Sequence, residues 1–228
     1  AANALIDETA ATVRARIVAA TSLADALAGA DHVQENVAED VAVKRRVFAE
    51  LDALAAPTTI LASSTSGIPA STFTEALPGR SRCLVAHPIN PPHLVPLVEL
   101  SGAPWTNADT LARTRSLMLA VGQSPIVVRE EIEGFIVNRL QGALLREAFD
   151  LYDRGVAALA DIDAALRDGL SLRWSFMGAF ETIDLNAPQG VADYCRRYGG
   201  LYARIAPSLP AQAWSDDLVA RIERERRA

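Results

Sequence analysis

Cys83-Leu84-Val85-Ala86-His87-Pro88-Ile89-Asn90-Pro91-Pro92-His93-Leu94-Val95-Pro96-Leu97-Val98-Glu99-Leu100 is the stretch on which the reading of the fold turns. An apolar run delivers His87, a proline-broken turn follows, and a second apolar run ends on Glu99. Proline removes a backbone donor and clashes inside a helix, so two short buried strands joined by a loop are expected. Laid side by side, such strands would bring the imidazole and the carboxylate together at one edge of a hydrophobic sheet. A carboxylate that accepts from one ring nitrogen leaves the other free as an acceptor and raises its basicity. That pairing makes a general base with its orienting partner. The alternative is plainer: His87 caps a strand and Glu99 is a solvated strand end.

Working outward, 228 residues of which 50% are hydrophobic can form one large globular domain or two modest ones. A net charge of −6 argues against a nucleic-acid partner. The basic tail from Arg221 to Arg227 alternates with Glu223 and Glu225 and reads as a solvated helix face. Cys83 and Cys195 have neither disulfide nor metal-ligand spacing and are expected to be buried thiols in a reducing compartment. No signal peptide is expected, and no apolar run is long enough to span a bilayer. A cytoplasmic enzyme or binding protein, with no membrane association, is the expectation.

Taken in order, Ala1 to Arg16 reads as helix, Ile17 to Ala20 as a short apolar run, and a small helix reaches Leu27. A strand and loop cover His32 to Val37, with His32 a surface residue at a turn. Glu39 and Asp40 precede an amphipathic helix carrying Val43, Val47, Phe48, Leu51 and Leu54, its first-turn acids suited to the helix dipole. Thr58 to Ala62 is β-rich, and Ser63 to Gly67 is a small-residue turn. After Glu99 come a helix from about Ala108 to Val121 and a strand from Ser124 to Arg129. Alternation of this kind predicts a parallel α/β sheet with crossover helices. Beyond Gly134 the pattern is helical: Phe135 to Arg154, Asp161 to Arg167, Phe180 to Leu185, Val191 to Ile205 and Leu218 to Arg227. The expectation is therefore a sheet domain over 1–132 and an all-helical domain over 133–228. Ligands of open α/β sheets bind beyond the carboxyl ends of the strands, where Ser66, His87 and Glu99 are expected.

Several ordered blocks carry a family resemblance. They are Glu39-Asp40 with Lys44, Ala62-Ser63-Ser64-Thr65-Ser66, His87-Pro88-Ile89-Asn90-Pro91-Pro92 with Pro96-Leu97-Val98-Glu99, Gly134-Phe135-Ile136-Val137-Asn138-Arg139-Leu140, and Gly169-Leu170 through Glu181. Together they resemble the L-3-hydroxyacyl-CoA dehydrogenase family, and more closely its lambda-crystallin (L-gulonate 3-dehydrogenase) branch. The resemblance implies a doubly wound Rossmann-type domain, an all-α C-terminal domain, and NAD-dependent oxidation of a hydroxyl at carbon 3 of an acid. It implies His87 as general base and Glu99 as its holder. Ser66 and Asn138 would hydrogen-bond the substrate oxygen, the histidine or the nicotinamide ribose, and Glu39, Lys44 and Asn90 would be cofactor contacts. Read without it, Glu39 is a helix N-terminal acid, Lys44 a solvated helix lysine, Ser66 a turn or cap residue, and Asn138 a polar residue facing water or backbone. His93 sits in the proline loop and is expected to be exposed.

Two departures bear on function. No G-x-G-x-x-G occurs, although a nicotinamide enzyme of this kind should open with a strand, that turn and a helix. Either the chain lacks its true N-terminus or the protein has lost strong NAD binding. The first is the expectation, since the other cofactor and catalytic positions are intact, and a segment is expected to be missing near Arg16-Ile17 too. The substrate side, with Leu172-Arg173-Trp174-Ser175-Phe176-Met177-Gly178, resembles the branch acting on small free 3-hydroxy acids. A guanidinium pairs bidentately with a carboxylate, so Arg173 is the candidate substrate clamp, with a surface arginine or interface salt bridge as its alternative. The rival activities are an acyl-CoA dehydrogenase of fatty-acid oxidation and a structural protein that keeps the fold without turnover. A homodimer through the helical domain is the implied assembly.

Overall fold

A computed structural model describes residues 8–205. Residues 1–7 and 206–228, including the helix expected at Leu218 to Arg227, lie outside the described residues. The chain divides into two compact units, Ala1–Arg139 and Leu140–Ala228, the division falling within one helix.

The first unit is a five-stranded sheet: β1 (His32–Glu35), β2 (Ile60–Ser63), β3 (Cys83–Pro88), β4 (Leu97–Gly102) and β5 (Ser124–Val128), in that spatial order. All neighbours are parallel except β3 and β4, which pair antiparallel. The expected parallel sheet is thus a mixed one. The reason is local: the proline loop between Pro88 and Leu97 is too short for a crossover helix, and a short connection can only reverse direction.

Period-two alternation divides the sheet between two layers, with helices on both sides as a doubly wound sheet requires. Leu61, Cys83 and Val85 face a core shared with Leu27, Phe48, Leu51, Phe73 and Phe135. Ile60, Ala62, Leu84, Ala86, Val98 and Leu100 form the opposite core, with Leu111 and Met118 packed against it. The first face belongs to α2 (Leu23–Leu27), α3 (Val41–Leu54) and α4 (Ser71–Thr74), the second to α5 (Ala108–Ala120). Helix α3 starts where Asp40 accepts from the Val43 N–H at 2.8 Å, so Asp40 is the cap and Glu39 stands outside the helix.

Two local expectations, the extent of the N-terminal helix and the burial of Cys195, are corrected, while Cys83 is buried as expected. The N-terminal helix α1 is only Ala10–Arg14, and Ile17 and Val18 lie exposed outside any element. Burial pushes the Cys83 thiol up to about 12, with Asp52 adding to the rise and Arg82 opposing it, so it is inert. Cys195, by contrast, is exposed, because it falls on the solvent side of an amphipathic helix.

Helix α6 (Val137–Asp153) begins two residues later than expected because Gly134 and Phe135 both have left-handed backbone, at φ 75° and 48°. The helical unit continues with α7 (Leu159–Ala164), a π-helical segment Ala165–Ser171, α8 (Leu172–Trp174), α9 (Ala179–Leu185) and α10 (Gly190–Ile205). Asp193 anchors α10 internally, accepting from Arg197 at 3.0 Å. No described helix is long and apolar enough to cross a membrane.

Candidate active site

His87 and Glu99 are register partners on antiparallel β3 and β4. Side chains directly opposite each other share a face, and His87 Nδ1 lies 2.9 Å from Glu99 Oε2. Glu99 was expected at a strand end; it is the third residue of β4 and wholly buried. The antiparallel turn makes the two placements compatible, because the start of β4 and the end of β3 are the same edge. A solvated Glu99 is ruled out.

The other Glu99 oxygen is equally committed. Oε1 accepts from the backbone N–H groups of Ile136, at 2.9 Å, and Val137, at 3.0 Å, at the start of α6. A buried carboxylate needs such donors, and a helix N-terminus supplies both the donors and a favourable dipole. A carboxylate only accepts, so His87 must donate through Nδ1 and its Nε2 is left as the acceptor. Nε2 makes no hydrogen bond among the described residues. Phe135 closes this side of the dyad, fully buried with its ring 5.7 Å from the imidazole.

A second polar cluster occupies the ends of β1 and β2 on the same face. Lys44 of α3, buried, places Nζ 3.2 and 3.1 Å from the two Glu35 oxygens and 3.5 Å from Glu39 Oε2. Ser63 donates to Glu35 at 2.6 Å, and the Val37 N–H does so at 2.5 Å. The solvated-lysine alternative for Lys44 is therefore overturned. Glu39 Oε1 accepts from the Thr65 hydroxyl at 2.5 Å and from the backbone of Ser66 at 3.0 Å and Gly67 at 3.3 Å. Burial pushes its carboxyl up, but the Thr65 hydroxyl, the Lys44 charge and the two backbone N–H groups together hold it below the ordinary value.

The loop after β2 joins the two clusters. Asn138 donates its side-chain amide to the Ser66 carbonyl, and the Gly134 N–H donates to the Gly67 carbonyl at 3.1 Å. Ser66, Asn138, Glu39 and Lys44 thus lie along one strand edge with His87 and Glu99. Asn90 and Ser66 are exposed. His93 is exposed in the proline loop. His32 is not the surface residue expected: it is half-buried, 3.0 Å from Gln34, and its parity on β1 sends it to the opposite face. Arg173 is exposed on α8 of the helical unit and forms no ion pair among the described residues.

Glu35, Ser63, Thr65 and Phe135 were not singled out from the sequence as site residues. The parity rule was the available signal for two of them. Glu35 and Ser63 are register partners at the ends of neighbouring parallel strands, so a buried charge on one demands a partner from the helix above. No group of three or more His, Cys, Asp or Glu among the described residues could hold a metal ion.

An open, mostly parallel sheet with helices on both sides and a polar rim at its strand ends defines a Rossmann-like domain. Residues 1–132 match the NAD-binding domain of 3-hydroxyacyl-CoA dehydrogenase, and residues 134–220 match the C-terminal domain. The chain belongs to the 3-hydroxyacyl-CoA dehydrogenase family. It is 42% identical to lambda-crystallin of Oryctolagus cuniculus over 193 residues, 85% of this chain and 60% of that protein. It is 37% identical to L-carnitine dehydrogenase of Pseudomonas putida over 205 residues, 90% of this chain and 64% of that one. Among solved structures, 5-formyl-3-hydroxy-2-methylpyridine 4-carboxylic acid 5-dehydrogenase, an NAD+-dependent dismutase, superposes with a TM-score of 0.78 at 32% identity. That superposition covers 85% of this chain and 60% of the other. The chain therefore spans less than two thirds of the length of each of these relatives.

Proposed function

We propose that the protein is an NAD-dependent dehydrogenase that oxidises the 3-hydroxyl of a small, carboxylate-bearing 3-hydroxy acid. The observation that carries the reading is the buried His87–Glu99 pair, which leaves Nε2 as the only acceptor on the ring. Bound NAD would take up the hydride from carbon 3 of the substrate. His87 removes the hydroxyl proton onto Nε2, and Glu99 holds the ring by Nδ1 and balances the imidazolium that forms. Ser66 and Asn138, tied to each other at the strand edge, bind the reacting oxygen or the ribose.

The rim suits the nicotinamide end of the cofactor. Glu39 is held in place by three donors yet keeps its side chain 47% exposed, and exposed Ser66 and Asn90 add a hydroxyl and an amide. These are the groups that ribose hydroxyls and a carboxamide pair with. Lys44 supports Glu39 from below. The pyrophosphate half needs a glycine turn that these 228 residues do not contain, so the residues present fit only the nicotinamide side.

The small-acid substrate draws support from L-carnitine dehydrogenase, whose substrate is itself a free 3-hydroxy acid. It also draws support from Arg173, an exposed guanidinium with no ion pair among the described residues and so available to a carboxylate. The test is NADH formation by protein carrying this chain, offered L-gulonate, L-carnitine and a 3-hydroxyacyl-CoA side by side. Turnover of a free acid, lost by about a thousandfold in His87→Ala, is the expected result. Arg173→Met should raise KM for the free acid and leave the thioester unaffected. Undiminished turnover in His87→Ala would end the proposal.

A further inference from the structure

We propose that the Gly134-Phe135 corner is a positioning device that sets which nitrogen of His87 is the base. The inference rests on the function proposed above, and it concerns residues with no role in that chemistry themselves.

Glu99 is wholly buried and has three hydrogen-bond partners among the described residues: His87 Nδ1 on one oxygen, and the Ile136 and Val137 N–H groups on the other. The two amides fix Oε1 and so hold Oε2 facing Nδ1, where His87 carries its proton. Without the amides nothing fixes Oε1, and the carboxylate can turn so that Oε2 no longer faces Nδ1. With no acceptor held at Nδ1, the ring is free to carry its proton on Nε2, the nitrogen that has to accept from substrate. The two backbone amides therefore decide the tautomer.

Those amides point at Glu99 because the chain turns sharply just before them. Gly134 and Phe135 are both left-handed, and for a bulky residue such as Phe135 that backbone is unfavourable. Glycine would adopt it more readily. What holds Phe135 there is its ring, fully buried in the core and against His87 at 5.7 Å. One residue thus packs the imidazole with its side chain and aims the helix N-terminus with its backbone. The Gly134 N–H bond to the Gly67 carbonyl at 3.1 Å and the Asn138 bond to the Ser66 carbonyl fasten the corner to the loop after β2.

The test reads the ring nitrogens of His87 by 15N NMR in the full chain, without cofactor or substrate. Wild type should show one tautomer, protonated at Nδ1. Phe135→Ala should give a mixture of the two, and Phe135→Leu should stay close to wild type because it refills the core. Should Phe135→Ala fail to fold, Val137→Pro decides. Proline is well tolerated at the first helical position, and there it deletes only the N–H given to Glu99. Whatever its melting temperature, folded Val137→Pro keeps the wild-type tautomer if the corner is merely structural, whereas the positioning role predicts a mixed tautomer. A single Nδ1–H tautomer in every folded variant overturns the inference. Because this readout needs no turnover, it stands or falls apart from the activity of His87→Ala.

Discussion

Lys44 shows how far a single residue can depart from its look in the sequence. Among Arg45 and Arg46 it reads as one more solvated helix charge, yet it is buried to 1% exposure against Glu35. Removing one partner of a buried pair leaves an uncompensated charge, a loss of about 3–5 kcal/mol, whereas removing both is far milder. Lys44→Met should therefore destabilise the sheet unit by about 3 kcal/mol in chemical denaturation. The double variant Lys44→Met, Glu35→Gln should recover most of that. If Lys44→Met alone cost under about 1 kcal/mol, the cluster would be a surface pair in energetic terms.

At the level of elements, the β3–β4 hairpin and the start of α6 do the positioning. The hairpin is antiparallel in an otherwise parallel sheet, and that reversal sets Glu99 opposite His87 instead of a strand's length away. The start of α6 depends on Gly134. A methyl group at Gly134 would meet nothing closer than Asn138 Cβ and Arg139 Cγ, both at 3.7 Å, so space is not the constraint. The constraint is φ of 75°, which L side chains resist. Gly134→Ala should cost about 1 kcal/mol or somewhat more, measured by thermal melting. No loss of stability would mean that the corner relaxes freely and that α6 is not held by its backbone geometry.

For the molecule as a whole, the helical unit raises the question of assembly. Phe176, Phe180 and Leu185 are all more than two-thirds exposed, and Tyr194, Tyr198 and Tyr202 form an aromatic stripe along α10. Exposed apolar side chains at this density mark association surfaces. We propose a homodimer through this unit. Sedimentation should give a dimer for the wild-type chain and a shift toward monomer for Phe180→Glu. A monomer at every concentration would refute the dimer.

The pattern of elements was legible because periodicity is local: α2, α3, α5, α9 and α10 and all five strands fall within a few residues of where apolar spacing puts them. The Rossmann-like class followed from the same alternation, and the family from ordered blocks such as His87 to Glu99. Local spacing also announced the histidine and its carboxylate, since a proline-rich loop between two apolar runs leaves little choice but a hairpin. The depth of Glu99, the burial of Lys44, the service of Glu35 and the left-handed corner at Phe135 were not legible. Each is a consequence of what stands opposite in space. Burial and charge compensation depend on partners 9 to 38 residues away in the chain, such as Glu35 for Lys44 and Val137 for Glu99. The sequence by itself determined which strands and helices form and that an imidazole meets a carboxylate. Only the tertiary structure decided which oxygen, which amide and which face complete the site, because those choices are made by packing across the sheet.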